Sequence, residues 1–433
     1  MPYRKIDGMR IVVIGLGYVG LPLAVRLAEN FETWGLDIDP SRIEELKGGF
    51  DRTGEIDAQR LGRTTLNLAA DCKGCPPADA YIITVPTPID SAKRPDLAPV
   101  IGATKMAAGM LDPDRRPVII FESTVYPGVT EDICRPLIAE ISGLVPEREF
   151  SVGYSPERIN PGDREHTVDK IAKVIAGEDD RTTEILASIY GQVTTGGVFR
   201  AASIKAAEAA KVIENAQRDI NIAFVNEITQ IFAELDLSIW DVLDAANTKW
   251  NFLPFQPGLV GGHCIGVDPY YLSHLANRLG HGANVILSGR ETNDGMAAWI
   301  AQQIHSQCAD KTGRILVLGL TFKENVPDLR NSKVADLVGE LQKLGHEVIV
   351  HDPLANSLEA AREYGLTIAA DALSQSYHCI VGAVSHRAYR EMSVERLGAL
   401  LLQDGLVFDL KRLWPSLGDK TASLPAGQRY CSL

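Results

Sequence analysis

The chain has 433 residues, of which 45% are hydrophobic and 23% are charged, the composition of a globular protein with two or three domains. Its net charge of −13 at pH 7 argues against nucleic acid or an anionic membrane as a partner, because the protein's field repels phosphate groups at long range. No apolar run reaches the ~18 residues of a membrane span, and the N-terminus shows no signal-peptide pattern, so we predict a cytoplasmic protein.

Seven cysteines at irregular spacings do not resemble a disulfide framework, which agrees with a reducing compartment. Cys72 and Cys75 form the one close pair. A zinc or redox site would need a second pair, or a position between a strand and a helix, and this pair has neither. We therefore predict no metal site.

The first 200 residues alternate between apolar runs and helical patterns. Residues 10–14 are a short apolar run that ends at a glycine, as a buried parallel strand does. A helical pattern continues to about residue 30, and 31–36 predicts a second strand. Further strands are predicted at 80–85, 117–121 and 149–153. This alternation indicates a doubly wound sheet with helices on both faces.

A glycine-rich turn follows the first predicted strand and opens the first helix. Gly15 permits the tight turn, Gly17 lets a pyrophosphate approach the backbone, and Gly20 lets helix and strand pack closely. Tyr18 and Val19 lead into the helix, whose free amides would bind the phosphates. The motif predicts a dinucleotide-binding domain over 1–200, and a glycine turn without a ligand is the alternative.

Asp37 ends the second predicted strand, about 20 residues after the glycines. Its carboxylate would accept hydrogen bonds from the adenosine ribose and repel a 2′-phosphate, which favours NAD over NADP. Arg42 follows on the next helix, either beside the adenine or as a solvated cation.

Residues 203–235 contain neither proline nor glycine and predict one helix of about 50 Å. Such a length exceeds what one small domain needs, so the helix is expected to act as a connector, and it suggests a contact between two copies of the chain. Further helices are expected over 240–310, interrupted by a Gly/Pro-rich loop at 254–269. We assign 201–310 to a central helical domain.

A second sheet domain is predicted over 311–433. It begins with an apolar run at 314–318, and further strands are predicted at 347–350, 379–384 and 406–410. The following turn has one glycine, Gly319, and so fits a mononucleotide or sugar nucleotide better than a dinucleotide. Nearby cations could clamp a diphosphate, although each alone could equally be a solvated surface residue: Lys323, Arg330, Lys411 and Arg412.

The predicted fold is therefore α/β, with two doubly wound, Rossmann-like parallel-sheet domains joined by a helical central domain with one long helix. The default ligand site is the cleft between the two sheet domains.

Two segments of the central domain carry reactive side chains. Cys264 follows two glycines, Gly261 and Gly262, whose amides could lower the pKa of the thiol; an ordinary buried cysteine is the alternative. On the long helix, Lys211 and Asn215 share one face with Glu208. Lys211 and Asn215 could stabilise an oxyanion together, and a solvent-exposed polar face of the helix is the alternative.

Two loops follow predicted strands of the first sheet, where ligands of α/β proteins bind. One is Glu122–Gly128, with Ser123 and Thr124, and the other is Tyr154–Gly162. Glu157 in the second loop is either a general base for water or a loop carboxylate without a role.

The motifs together resemble those of the UDP-glucose/UDP-mannose dehydrogenase superfamily, in particular its bacterial UDP-N-acetylglucosamine and UDP-N-acetylgalactosamine dehydrogenases of Vi-antigen and O-antigen synthesis. Seven motifs occur in the order of that family: GLGYVGLP (15–22), TVPTP (84–88), ESTVYPG (122–128), YSPERINPG (154–162), AEAAKVIEN (207–215), GGHCIGVDPYYL (261–272) and TFKENVPDLR (321–330).

The resemblance implies a four-electron oxidation of a sugar 6-hydroxymethyl group with two NAD⁺. Cys264 would capture the aldehyde-level carbon as a thiohemiacetal, which is oxidised to a thioester and then hydrolysed. Cysteine suits both halves of the reaction, because a thiolate adds readily and its thioester hydrolyses readily. An enzyme that stops at the carbonyl needs no such nucleophile.

The resemblance also implies roles for individual residues. Glu157 would activate water, Lys211 and Asn215 would stabilise the oxyanions, Asp268 would organise proton movement, and Thr124 would hold a water or the nicotinamide. The cofactor would contact Gly15, Gly17, Tyr18, Val19, Gly20, Asp37, Arg42, Val85, Pro86, Thr87, Ser123, Thr124 and Arg330. The substrate would contact Glu157, Arg158, Lys211, Asn215, Phe252, Gly258, Gly261, Lys323 and Arg412.

One departure bears on the substrate. UDP-glucose dehydrogenases commonly carry Lys-Asp after the catalytic cysteine, whereas this chain has Val267 and Asp268. The signatures are those of the N-acetylhexosamine branch, so the expected substrate is UDP-GlcNAc, with UDP-GalNAc second, in surface polysaccharide synthesis by a homodimer or higher oligomer. UDP-glucose or UDP-ManNAc, a two-electron hydroxyacid dehydrogenase and a non-enzymatic NAD-binding protein are the alternatives.

Overall fold

The computed structural model describes residues 8–157, 169–262, 264–309 and 311–433. The chain divides into two compact units. The first comprises Met1–Glu214 and Tyr270–His281, and the second comprises Asn215–Pro269 and Gly282–Leu433.

Eight strands form one sheet in the described part of the first unit, in the order β3-β2-β1-β4-β5-β6-β7-β8. They are β1 Arg10–Ile14, β2 Glu32–Leu36, β3 Asn67–Ala69, β4 Ala80–Ile83, β5 Val118–Phe121, β6 Ser151–Tyr154, β7 Lys173–Gly177 and β8 Val198–Arg200. All neighbouring strands pair in parallel except β6 and β7, which are antiparallel.

The helices up to residue 233 are α1 Gly20–Leu27, α2 Pro40–Lys47, α3 Ala58–Leu61, α4 Ala98–Ala108, α5 Arg135–Ser142, α6 Asp180–Tyr190 and α7 Ile204–Ala233. Short 3-10 turns occur at Cys72–Gly74 and Pro113–Arg115, and a π-helical turn at Val129–Cys134. The core combines Ile11 and Val13 of β1 with Leu23 and Leu27 of α1, which explains the predicted strand and the helix after it.

The second unit has a five-stranded parallel sheet, counted over its described residues, in the order β10-β9-β11-β12-β13. Its strands are β9 Arg314–Leu318, β10 Glu347–His351, β11 Tyr377–Gly382, β12 Leu401–Asp409 and β13 Arg429–Ser432. The remaining helices are α8 Ile239–Ala246, α9 Asp268–Arg278, α10 Asn284–Gln307, α11 Lys333–Lys343, α12 Ser357–Tyr364, α13 Arg387–Arg390, α14 Val394–Ala399 and α15 Pro415–Gly418, with a 3-10 turn at Ala372–Ser374.

The predicted elements occur with small shifts of their ends. The long helix predicted over 203–235 is α7, which has 30 residues and therefore a length of about 45 Å. The Gly/Pro-rich loop predicted at 254–269 ends where α9 begins at Asp268. None of the described helices is both long and apolar enough to cross a lipid bilayer.

Candidate active site

The glycine turn after β1 has the geometry that its sequence predicts. Gly15 has a φ of +95°, and its N–H donates to the carbonyl of Leu36 at 2.8 Å. A Cβ on Gly20 would overlap the Gly15 carbonyl, so helix and turn can pack only with glycine there. A Cβ on Gly17 would meet no described atom within 4 Å, which leaves this backbone open to a ligand. The turn can therefore accept a pyrophosphate.

Asp37 lies at the end of β2 and supports the same turn. Its carboxylate accepts the N–H of Leu16 at 2.8 Å and the N–H of Asp39 at 2.9 Å. Each carboxylate oxygen has a second lone pair with which it can accept a ribose hydroxyl.

The structure corrects the expectation that Arg42 is a solvated cation. The side chain is buried, donates to the Leu16 carbonyl at 2.9 Å and pairs with Asp51 at 2.7 Å. It therefore stabilises the turn from within, and this placement argues against a contact with adenine.

Hydrogen bonds connect the loops that follow β1, β4 and β5. The hydroxyl of Thr84 donates to the Gly15 carbonyl at 2.7 Å, and the hydroxyl of Ser123 donates to the Val85 carbonyl at 2.7 Å. The other predicted cofactor residues of this unit lie in the same loops: Tyr18, Val19, Pro86, Thr87 and Thr124. These contacts preorganise the carboxyl ends of three adjacent strands, where α/β proteins bind their ligands.

Glu157, the predicted general base, lies in a buried group of ionisable side chains. Lys173 donates to Glu157 and, at 2.8 Å, to Glu122, and the hydroxyl of Tyr190 donates to Glu122 as well. Lys173 and Tyr190 were not predicted from the sequence, because they lie 16 and 68 residues from carboxylates to which they donate. The predicted substrate residue Arg158 lies outside the described residues.

The predicted catalytic face of α7 is buried rather than solvated. Glu208, Lys211 and Asn215 are all buried, so the alternative of a solvated stripe is wrong. Glu208 accepts the N–H groups of Gly128 at 2.6 Å and Thr130 at 3.0 Å. Burial raises the pKa of Glu208 to about 7, although these amide bonds oppose the rise. Glu208 thus anchors the loop that carries Thr124.

Cys264 lies in a turn at the start of α9. Its thiol is exposed, so the alternative of an ordinary buried cysteine is wrong. The N–H of Asp268 donates to the Cys264 carbonyl at 2.8 Å, which closes the turn. The buried carboxylate of Asp268 accepts the side-chain amide of Asn215 at 2.6 Å. Two predicted catalytic residues of the second unit, Asn215 and Asp268, are thus hydrogen-bonded to each other next to the cysteine turn.

Two asparagines that the sequence did not single out hold the loop before Cys264. Asn226 exchanges two hydrogen bonds with the backbone of Gly258, at 2.8 and 3.0 Å. Asn331 accepts the N–H of Gly262 on its carbonyl at 3.2 Å and donates its side-chain amide to the Gly262 carbonyl at 3.0 Å. Gly258 and Gly262 have φ angles of +134° and +85°, which explains the glycines.

A cavity of about 460 Å³ opens in the second unit beside this loop. Gly261 and Phe322 are part of its wall. The described lining residues include more basic than acidic side chains. The five basic ones are Lys323, Lys333, Arg390, Lys411 and Arg412, and the two acidic ones are Asp244 and Glu324. This excess of positive charge, in a chain with a net charge of −13, suits a diphosphate.

Not all predicted substrate and phosphate residues line this cavity. Phe252 packs against the hydrophobic core of the unit, and Arg330 forms a two-point ion pair with Asp328, at 2.6 and 2.9 Å. Gly258 lies beside Lys411, since a Cβ there would come within 2.5 Å of the lysine nitrogen. The glycine therefore makes room for the cation.

The chain matches three family models in consecutive order. They are the NAD binding domain of the UDP-glucose/GDP-mannose dehydrogenase family over residues 9–194, its central domain over 205–295 and its UDP binding domain over 316–416.

Individual proteins resemble the chain over nearly its full length. Protein CapL of Staphylococcus aureus is 47% identical over 406 residues, 93% of this chain and 95% of that protein. The UDP-N-acetyl-D-glucosamine 6-dehydrogenase of Pseudomonas aeruginosa is 45% identical over 411 residues, 94% and 97% of the two chains. The solved UDP-D-ManNAc dehydrogenase of Pyrococcus horikoshii has a TM-score of 0.85 at 27% identity and covers 98% of this chain and 99% of its own. These matches confirm the predicted resemblance, fold class and cofactor.

Proposed function

The chain belongs to the UDP-glucose/GDP-mannose dehydrogenase family, and we propose that it oxidises the 6-hydroxymethyl group of UDP-GlcNAc, with UDP-GalNAc as second choice, to the uronic acid. The observation that carries the proposal is the exposed Cys264, held by a closed turn next to the buried pair of Asn215 and Asp268. A thiol in this position is available to a substrate, whereas a packing cysteine would be buried.

NAD is the cofactor, and the residues of the first unit fit it. The open backbone of Gly17 admits the pyrophosphate, and Asp37 accepts a ribose hydroxyl while its charge disfavours a 2′-phosphate. When bound, NAD⁺ accepts one hydride in each of the two oxidation steps.

Cys264 acts between the two oxidations. Its thiolate adds to the aldehyde carbon and forms a thiohemiacetal, from which the second hydride leaves to give a thioester. Water then attacks the thioester carbon, Glu157 takes the proton of the water, and the C–S bond breaks to return the thiolate. Lys211 and Asn215 donate to the oxygen that becomes negative in each tetrahedral state. Loss of one such donor typically lowers the rate by about 10²–10³.

The uridine diphosphate is expected to occupy the cavity of the second unit. Lys323, Lys411 and Arg412 line its wall, although Arg412 also pairs with Asp244 at 2.8 Å. The N-acetylated sugar is inferred from the substrate named for the Pseudomonas relative. A two-electron hydroxyacid dehydrogenase is disfavoured, because it would need neither the second nucleotide-binding sheet nor an exposed nucleophile.

A second copy of the chain is the expected partner. Phe224 and Ile231 lie seven residues apart on α7, on one face, and are 57% and 51% exposed. Large apolar side chains aligned on a helix surface favour a helix-to-helix contact between copies. We further propose that the enzyme works in the cytoplasm and supplies a uronic acid for surface polysaccharides.

The test is NADH release with UDP-glucose, UDP-GlcNAc, UDP-GalNAc and UDP-ManNAc. We expect two NADH per UDP-GlcNAc and no acid from Cys264→Ala, while the matched variant Cys72→Ala behaves as the wild type. One NADH per sugar, together with an unchanged rate in Cys264→Ala, would overturn the proposal.

A further inference from the structure

Four side chains of the first unit form a buried cluster, which we call the Glu122 cluster: Glu122 after β5, Glu157 after β6, Lys173 in β7 and Tyr190 in α6. Glu122, Lys173 and Glu157 are 3%, 1% and 5% exposed, and Tyr190 is fully buried. The four side chains are therefore almost completely shielded from solvent.

The hydrogen bonds assign a role to each member. Lys173 bridges the two carboxylates, with its nitrogen 2.8 Å from one oxygen of Glu122. The Tyr190 hydroxyl donates to the other oxygen of Glu122, and the Lys173 nitrogen lies 5.1 Å from the Tyr190 ring centre. Each oxygen of Glu122 thus has a donor, and one ammonium faces two carboxylates.

This arrangement has an unbalanced charge. If both carboxylates are ionised, these four side chains together have a net charge of −1, and ionised groups that are at most 5% exposed are costly to bury. One additional proton makes the cluster neutral. A buried group with two carboxylates around one ammonium therefore takes up and returns a single proton more easily than a balanced ion pair does.

The pKa shifts agree with this geometry. Burial raises the pKa of Glu122, and the opposing effect of Lys173 does not cancel the rise. Burial lowers the pKa of Lys173, but the two carboxylates outweigh it and the pKa is raised overall. Burial and the charge of Glu122 raise the pKa of Tyr190 well above its ordinary value. Lys173 thus stays an ammonium and Tyr190 a neutral donor, while Glu122 is the member that can gain a proton.

We propose that Glu122 stores the proton that Glu157 takes from water, and that Lys173 transfers it. Lys173 gives one proton to Glu122 and receives the proton held by Glu157. Glu157 is then a carboxylate again, Glu122 is a carboxylic acid, and Lys173 is unchanged; no electrons move. When the product has left, the reverse transfer returns the proton through Lys173 to Glu157, which releases it to water. Glu122 and Lys173 are positioning and proton-holding residues, and the inference rests on the proposed function of Glu157.

The test separates thioester hydrolysis from the two oxidations in a single turnover. In Glu122→Gln and Lys173→Met, we expect both NADH to form at the wild-type rate. Hydrolysis should slow by about a hundredfold, the lower end of the range for proton-transfer groups. The Cys264 acyl adduct should then accumulate and be detected by mass spectrometry of acid-quenched enzyme. The matched control is Glu178→Gln, which changes a buried carboxylate beyond the other end of β7 without touching the cluster.

The pH profile of hydrolysis distinguishes a proton store from mere structural support. Tyr190→Phe removes one donor from the Glu122 carboxylate, so we expect the profile to move to higher pH while the NADH burst stays. If Glu122→Gln does not fold, Tyr190→Phe still tests the proposal. Wild-type hydrolysis in folded Glu122→Gln, or an unmoved profile in Tyr190→Phe, would overturn the proton store alone. Wild-type enzyme that forms no NADH with any UDP-sugar would overturn the proposed function as well.

Discussion

The two-point contact between Asn331 and Gly262 gives a prediction about the cysteine loop. Gly262 lies two residues before Cys264, and the Asn331 side chain donates to its carbonyl at 3.0 Å. Asn331 itself has a φ of +50°, in the left-handed region. The change to test is Asn331→Gly, because glycine removes the side-chain bond but adopts this φ without strain.

The magnitude follows from the lost bond. A hydrogen bond of this kind contributes about 1 kcal/mol net to stability, and its loss removes the side-chain donor from the Gly262 carbonyl. About 1 kcal/mol corresponds to roughly a fivefold lower equilibrium constant between the ordered and the disordered loop. Asn331→Ala adds the cost of a left-handed Cβ, about 1–2 kcal/mol, so its effect should exceed that of glycine. The backbone bond from Gly262 to the Asn331 carbonyl remains in both variants.

The assay is kcat/KM for the UDP-sugar, measured beside the alkylation rate of Cys264 by iodoacetamide. We expect up to about a fivefold loss of kcat/KM in Asn331→Gly and a larger loss in Asn331→Ala, with altered protection of the thiol by substrate. The variant Asn325→Gly is the matched control, because Asn325 has a similar φ of +60° but contacts His386 and Arg387 instead of the cysteine loop. Equal kcat/KM in the wild type and both Asn331 variants would refute the role of this contact.

Three other changes test the site at separate points. Glu208 has a pKa of about 7 in the folded state, above its ordinary 4.5, so the folded state binds this proton more tightly than the unfolded state does. The free energy of unfolding should therefore fall by up to about 3 kcal/mol as pH rises from 4.5 to 7. Glu208→Gln should remove that slope in urea unfolding measured between pH 5 and 8, and parallel curves for both proteins would contradict this. Asp37→Asn keeps an acceptor for the Leu16 amide but loses the charge, so we expect the preference for NAD over NADP in kcat/KM to fall at least about tenfold. Ile231→Asp places a charge on the exposed face of α7 and should shift the sedimentation mass towards the monomer, whereas an unchanged mass would exclude this face as the contact.

Local patterns predicted those parts of the site that short segments build. The turn with Gly15 and Gly20 needs only a strand, a tight bend and a helix, all within about 20 residues, and the structure has each of them. The carboxylate of Asp37 comes from the adjacent parallel strand, whose position follows from the alternation of strands and helices. These features depend on neighbours in sequence or on a regular sheet topology.

Features that depend on distant partners could not be predicted in this way. A lysine and an arginine are usually solvated, yet Lys173 and Arg42 are buried because Glu122 and Asp51 meet them in the folded chain. The strands β3 and β8 have three residues each, too few to show a periodic pattern. The sequence did not single out Asn331 either, because its contact is with Gly262, which lies 69 residues away along the chain.

The two sheets of the chain build the same kind of turn after their first strands. Gly319 has a φ of +99° and donates to the His351 carbonyl at 2.8 Å, just as Gly15 donates to Leu36. Asp352 then accepts the Leu320 amide at 2.6 Å, in the position that Asp37 has in the first sheet.

The difference lies in how many donors each carboxylate has. Asp37 accepts the amides of Leu16 and Asp39, and its remaining lone pairs can bind a ribose. Asp352 also accepts His386 at 3.0 Å and a set of backbone amides, those of Leu320, Thr321, Leu354 and Ala355. Although burial opposes it, His386 and these amides hold the pKa of Asp352 well below its ordinary range. A carboxylate saturated by its own protein cannot select a ribose. This supports the proposal that the second unit binds a diphosphate through the cations of its cavity wall.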